Sequence, residues 1–285
     1  FILLIYFSNN HQAFSQSGEP PAFQKIDQEN GLSDNNVECI YKDRNGFMWI
    51  GTHSGLNLMD GSDITIFKNI PRSSNSISCN DINDITADTT GLLWIGTQEG
   101  LNSLDPFLRK FTAYPLRKGA GTKDDNIVSL AIDKKNNLFI ATPSGLFYFI
   151  KTSGKITYIE MPGADYQKIL NNNITHIAVD KNGLLWLSTY NGLWSYDENS
   201  KKFIHEINGS NDPQFTRLFA CFIIGHSGKL WVGTWDKGLK EFDPVSKTIT
   251  TYPLPLVTQS NIACITETEQ NNGKRLVYVN GNLCA

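Results

Sequence analysis

One short core returns five times in a single frame: Trp49-Ile-Gly-Thr52, Trp94-Ile-Gly-Thr97, Phe139-Ile-Ala-Thr142, Trp186-Leu-Ser-Thr189 and Trp231-Val-Gly-Thr234. The leading aromatics lie 45, 45, 47 and 45 residues apart. A further step of 45 reaches Leu276, inside a weaker copy, Leu276-Val-Tyr-Val-Asn280. Self-similarity at a fixed period of this size means a repeat architecture, in which each unit buries its apolar face only against its neighbours.

The flanks of the core tell what one unit is. Upstream come an apolar run and a turn, as in Asp43-Arg-Asn-Gly46, Asp88-Thr-Thr-Gly91 and Asp180-Lys-Asn-Gly183. Downstream, Gly-Leu recurs at Gly55-Leu56, Gly100-Leu101, Gly145-Leu146, Gly192-Leu193 and Gly238-Leu239. In the second copy these signals predict four strands: Ile82–Ala87, Leu92–Gly96, Leu101–Leu104 and Lys110–Tyr114. Four antiparallel strands in ~40–45 residues make a β-propeller blade. The predicted fold is therefore an all-β propeller of four-stranded blades over residues 22–285. Trp49, Trp94, Trp186 and Trp231 are expected to fill the gaps between blades. Ala22–Ile26 reads as an outer strand that would close the ring on its last blade. Five full units and part of a sixth suggest a fragment of a longer protein.

Composition narrows the class. Charged residues are 19% of the 285, against a typical ~25%, while Gly 23 and 28 Asn supply turn chemistry. Lys+Arg 25 against Asp+Glu 28 leaves no basic excess for a phosphate backbone, so nucleic-acid binding is not expected of this region. The apolar start Phe1–Phe7, followed by Ala13-Phe-Ser15, has the form of the end of a secretory signal, so residues 1–15 are expected to be its remnant. The five cysteines, at 39, 79, 221, 264 and 284, show no close pairs and read as small core residues. No CxxC or HExxH is present, and neither metal nor cofactor is expected.

The string Asp-x-x-Gly-x-Leu-Trp-Ile-Gly-Thr-x-x-Gly-Leu, with the opening Asn30-Gly-Leu-Ser-Asp-Asn-Asn-Val-Glu-Cys-Ile-Tyr-Lys-Asp43, resembles the two-component regulator propeller repeat. The resemblance implies seven-bladed rings, often two in tandem, forming the periplasmic sensor of an inner-membrane hybrid histidine kinase. It also implies an oligosaccharide ligand, signalling to the remainder of the kinase chain, and dimerisation through domains that this sequence lacks. The third copy departs from the pattern at Phe139 and Ala141.

Strand direction decides which loops share an end of the blades. Loops between second and third strands lie beside those leading into the first strand. A varied residue follows each core: His53, Gln98, Pro143, Tyr190 and Trp235. Aromatics here would stack on sugar rings, and amide or imidazole would bond hydroxyls, which makes Trp235, Tyr190, His53 and Gln98 ligand candidates. Packing within the loops is the bland alternative. Asn36, Asn126 and Asn173, with Asp81 and Asn261, precede the inner strands and would form a polar rim; turn termination explains them equally. Arg217, in the same place in the fifth copy, could hold an acidic group or simply be solvated.

Cys39, Asp84, Ser129, His176, Cys221 and Cys264 occupy one register on the inner strands. They are metal-ligand types, but ligands must converge at ~2.0–2.3 Å, which separate strands of a wide ring do not allow. Three functions remain in view: a ligand sensor, an interaction scaffold and a propeller lyase. A lyase needs a base at the channel mouth; His53 and His176 fall at different heights and make no convincing pair.

Overall fold

The structure is a computed structural model that describes residues 3–5, 24–61, 63–116, 125–143, 145–159, 174–190, 192–208, 219–234, 238–252, 260–269 and 275–283. The chain divides into two units, residues 1–115 and 116–285.

In the first unit, β1 (Leu3–Ile5) pairs antiparallel with β2 (Gln24–Ile26). The strand expected to close the ring is thus paired with part of the apolar start, not with a blade; Ala22 and Phe23 lie outside the described residues. The first blade is β3 (Val37–Lys42), β4 (Met48–Thr52), β5 (Gly55–Asp60) and β6 (Asp63–Phe67), and the second is β7 (Ile82–Ala87), β8 (Leu93–Thr97), β9 (Gly100–Asp105) and β10 (Lys110–Tyr114). Each is one antiparallel sheet in sequence order, and the strands of the second lie within a residue of those predicted. The core lies between the two sheets: Trp49 of the first packs with Ile82, Ile85, Leu93 and Ile95 of the second.

The second unit repeats this. The third blade is β11 (Ser129–Ile132), β12 (Leu138–Thr142), β13 (Gly145–Ile150) and β14 (Lys155–Ile159). The fourth is β15 (Ile174–Val179), β16 (Leu185–Thr189), β17 (Gly192–Asp197) and β18 (Lys202–Asn208). The fifth is β19 (Phe219–Ile224), β20 (Leu230–Thr234), β21 (Leu239–Asp243) and β22 (Thr248–Tyr252). Phe139 packs with Ile177, Leu185 and Trp194 of the next blade, and Trp186 with Phe222 and Leu230 of the one after. Trp49, Trp94 and Trp186 are fully buried as expected, whereas Trp231 is half-buried.

A partial sixth blade, β23 (Ser260–Glu269) with β24 (Arg275–Leu283), corrects the sequence frame. Trp49, Trp94, Trp186 and Trp231 pair with Tyr41, Thr86, Ala178 and Ile223. The matching residue of β23 is Thr266, and its partner is Tyr278, two residues past Leu276. The hairpin here is longer than the repeat, so a constant step of 45 misses the register.

Two features of the core motif have direct physical causes. The threonine ending each second strand donates its hydroxyl to the carbonyl of the glycine opening the third: Thr52 to Gly55 at 3.0 Å, and likewise Thr97 to Gly100, Thr142 to Gly145, Thr189 to Gly192 and Thr234 to Gly238. Those glycines sit at φ values from 73° to 147°, where a side chain is strained. Gly51 answers a different need: a Cβ there would stand 2.5 Å from Cys39 Sγ and 2.7 Å from Ile82 Cγ2 of the second blade. Only hydrogen fits that approach.

Candidate functional site: the two ends of the blades

At one end, the second-to-third loops and the segments leading into the inner strands meet as predicted. His53 N donates to the Asn36 carbonyl at 3.3 Å, and Gln98 N to the Asp81 carbonyl at 3.2 Å. These segments are fixed from below by an asparagine that the sequence reading passed over. Asn57 accepts from Ser33 N at 2.9 Å and donates to Ser33 Oγ at 2.9 Å; Asn102 accepts from Ser78 N at 3.0 Å and donates to Ser78 Oγ at 2.8 Å. Gly-Leu-Asn in the first two copies only, against Gly-Leu-Phe and Gly-Leu-Trp later, was the available signal.

His53 is not an open imidazole. Its Nδ1 lies 2.7 Å from Asp81 Oδ1 and its Nε2 3.0 Å from Glu38 Oε1. The hydrogen bond to Asp81, with the charges of Asp81, Glu38 and Asp34, raises its pKa above the ordinary value. His53 therefore staples the first blade to the second. Asn36, Gln98 and Asn126 are exposed, and Tyr190 is exposed in the loop after β16. Trp235, Arg217 and Asn173 lie outside the described residues.

The register of metal-type residues forms links between inner strands. Ser129 Oγ accepts from Ile177 N at 3.2 Å and lies 3.2 Å from His176 Nδ1, while Cys221 Sγ donates to the Ile262 carbonyl at 3.5 Å. His176 is half-buried, edge-on to Phe222 at 5.1 Å, and desolvation pushes its pKa down to about 4. Among the described residues, no three His, Cys, Asp or Glu side chains come together as a metal site.

The opposite end carries the Asp-x-x-Gly turns, and their spacing has a mechanism. Asp43 Oδ1 accepts from Asn45 N and Phe47 N at 2.8 and 3.0 Å, while its Oδ2 accepts from the Trp49 indole at 3.0 Å. Asp88 holds Trp94 and Asp180 holds Trp186 in the same way. The aspartate satisfies its own turn and locks the core aromatic. Phe139 has no N–H to offer, and in that blade the Tyr148 hydroxyl donates to Asp133 Oδ2 at 2.6 Å.

Between the first two blades this end opens into a cleft of about 700 Å³. Its floor holds Trp49, Leu58, Ala87 and Leu92, and its rim Arg44, Asp60, Phe107 and Arg109. The sequence reading placed all its ligand candidates at the other end and missed these residues. Two signals were present: Ala87 where the fourth and fifth copies carry Val179 and Ile224, and an apolar Phe107-Leu108 in a surface turn. The arrangement offers aromatic and apolar surface beside hydrogen-bond donors and acceptors.

The sheets, their order and the packing between them define a β-propeller. The sequence pattern of the two-component regulator propeller family matches residues 31–54 and 168–191. It is similar to the extracellular domain of a hybrid two-component system of B. thetaiotaomicron, at 25% identity and a TM-score of 0.71 over 90% of this chain and 34% of that one. A second such domain from that organism matches at 20% identity and a TM-score of 0.67, over 81% of this chain and 32% of that one. The chain thus spans about a third of the length of these proteins. Virginiamycin B lyase from Staphylococcus aureus shares the fold at 12% identity, with a TM-score of 0.69 over 98% of this chain and 96% of that one. No curated protein matches the sequence. No helix among the described residues is long and apolar enough to cross a membrane.

Proposed function

We propose that this chain is the periplasmic ligand-sensing propeller of a hybrid two-component regulator, that it binds an oligosaccharide, and that binding biases a downstream kinase in the same protein. The observation carrying this reading is the repeat itself, shared with extracellular domains of hybrid two-component systems. In this reading residues 1–15 are the remnant of a secretory signal, residues 22–285 the propeller, and dimerisation falls to other domains. Ligand would act by stabilising one arrangement of the sensor over another. Trp235, Tyr190, Gln98, Arg217, Asn36, Asn126 and Asn173 are the contacts proposed at the loop end, with His53 shaping that surface through its two carboxylates.

A lyase is disfavoured by two details: both nitrogens of His53 face carboxylates, and desolvation holds the pKa of His176 down to about 4, too low for an effective base. The test is a thermal-shift screen of the complete extracytoplasmic region against defined oligosaccharides, since a ligand that binds only the folded state raises the melting temperature. A rise with one sugar class, lost in Trp235→Ala and Tyr190→Ala, supports sensing. Consumption of the sugar without a shift would favour the lyase. Silence in both would leave an interaction scaffold.

A further inference from the structure

We propose that the cleft between the first and second blades is a seat for an uncharged sugar ring, at the opposite end of the blades from His53 and Gln98. This rests on the oligosaccharide-sensing reading and adds to it a place and a charge class.

The cleft exists because of one small residue. At the register of Ala87, the fourth and fifth blades carry Val179 and Ile224, which pack into the preceding blade's core. Ala87 packs against the core that holds the buried Trp49 as well, but its small side chain leaves room in the seam, and the volume of about 700 Å³ lies within the range of small-molecule sites. Arg44 is seated across the seam: a Cβ on Gly91 would meet its guanidinium at 2.8 Å, so glycine is what admits it. Neither Arg44 nor Arg109 has an ion-pair partner among the described residues. Phe107 stands 92% exposed at the rim, immediately after Pro106.

The charges select the ligand. Asp43 and Asp88 are buried and engaged by their turns and by the indoles of Trp49 and Trp94. Asp60 and Asp105 line the cleft together with the two arginines. An anion would meet Arg44 and Arg109 but also four carboxylates, and a cation would meet two guanidinium groups. A neutral polyol uses both signs, its hydroxyls donating to Asp60 and accepting from arginine while its C–H face lies on Phe107.

The test is isothermal titration calorimetry on the intact protein with neutral trisaccharides of glucose, xylose, mannose and galactose, and with trigalacturonate as the charged counterpart. A neutral trisaccharide is expected to bind, with at least tenfold weakening in Arg44→Ala and in Phe107→Ala. Ala87→Ile, which installs the residue of the fifth blade, is expected to weaken it similarly by filling the floor. Val245→Ala, at the matching turn of the fifth blade, is expected to leave affinity unchanged. Neutral binding that is indifferent to all three cleft variants overturns the seat but not sugar sensing, and so does binding of trigalacturonate alone. Binding of no sugar overturns both.

Discussion

The seam between the first and second blades and the seam between the fifth and sixth use one register position and end in opposite states. In the first it is Ala87, and a cleft of about 700 Å³ stays open beside it. In the second it is Glu267, whose carboxylate is 6% exposed. The turn below has also changed. Gly225 stands where other blades have the locking aspartate, with the same backbone closure, Gly225 N to the Lys229 carbonyl at 2.8 Å. Glu267 Oε2 accepts from His226 N at 2.7 Å and lies 2.8 Å from His226 Nδ1. A carboxylate still closes on this turn, but it comes from the next blade and binds His226. The repeat therefore keeps a carboxylate at the turn and not the residue that supplies it.

The strongest way to break this comparison is to fill the empty place. A Cβ on Gly225 would lie 3.1 Å from Glu267 Oε2, so Gly225→Asp puts two carboxylates into one site. The expected loss is ~3–4 kcal/mol, in the range for an uncompensated buried charge. Glu267→Ala should cost ~1–3 kcal/mol by leaving the His226 N–H unsatisfied. Combined, the two changes should recover most of the loss, because the new aspartate can lock Trp231 within its own blade. Denaturant midpoints of the four proteins decide it; a double variant no better than the sum of the singles refutes the exchange. The pH dependence has a definite sign. Burial works against the Glu267 charge, but the His226 N–H and imidazole and the Trp231 indole outweigh it and lower its pKa. Its contribution is present above the ordinary glutamate value and fades as pH falls through the folded one.

His176 marks the seam between the third and fourth blades from the inner-strand side. Its pKa falls from 6.5 to about 4 through desolvation, so the unfolded chain binds the proton first. The stability it contributes is complete above pH 6.5 and is lost as pH drops toward 4, on the order of 3 kcal/mol in all. His176→Gln should flatten the pH profile of stability in that window. A profile identical to that of the parent protein would show that another group carries it.

The third blade gives a smaller version of the fifth. Tyr148→Phe removes the donor that replaced the indole, and a loss of ~1–2 kcal/mol is expected, because Asn137 Nδ2 still reaches Asp133 Oδ2 at 3.2 Å. Adding Phe139→Trp should restore part of it by returning the indole. Thermal melts of the single and double variants are sufficient. A double variant less stable than Tyr148→Phe would mean that the tryptophan no longer fits this seam.

The blades were legible because each is specified locally. Turn glycines, the aspartate before the core and the alternating apolar runs all act within one unit, and the predicted strands of the second blade held to a residue. What escaped was everything settled between units. Glu267 looks like an ordinary strand residue until Gly225 is opposite it, and the Ala87 cleft is a missing volume that no motif records. The sixth copy misled for a related reason: its frame was extended by a constant step, whereas pairing across the hairpin puts Tyr278 opposite Thr266. The loop end was half legible. Topology placed His53 beside Asn36 and Asp81, but the carboxylates on both its nitrogens depend on the neighbouring blade.

His53 provides the mildest test, on the seam that holds the cleft but at its other end. The imidazole joins Glu38 of the first blade to Asp81 of the second, with Asp34 nearby, and is 43% exposed. Solvent screens such a pair, so its weight is small and salt-dependent. Because the folded pKa is raised, the contribution is complete below the unfolded value of ~6.5 and disappears as pH climbs through the folded one. His53→Ala should therefore lower the melting temperature more at pH 5.5 than at pH 9, and the gap should narrow in high salt. An equal drop at both values would make His53 a packing residue whose charge is incidental. If instead the gap appears and sugar affinity at the cleft stays constant across the same pH range, the two ends of this seam act independently, one as a staple and the other as a seat.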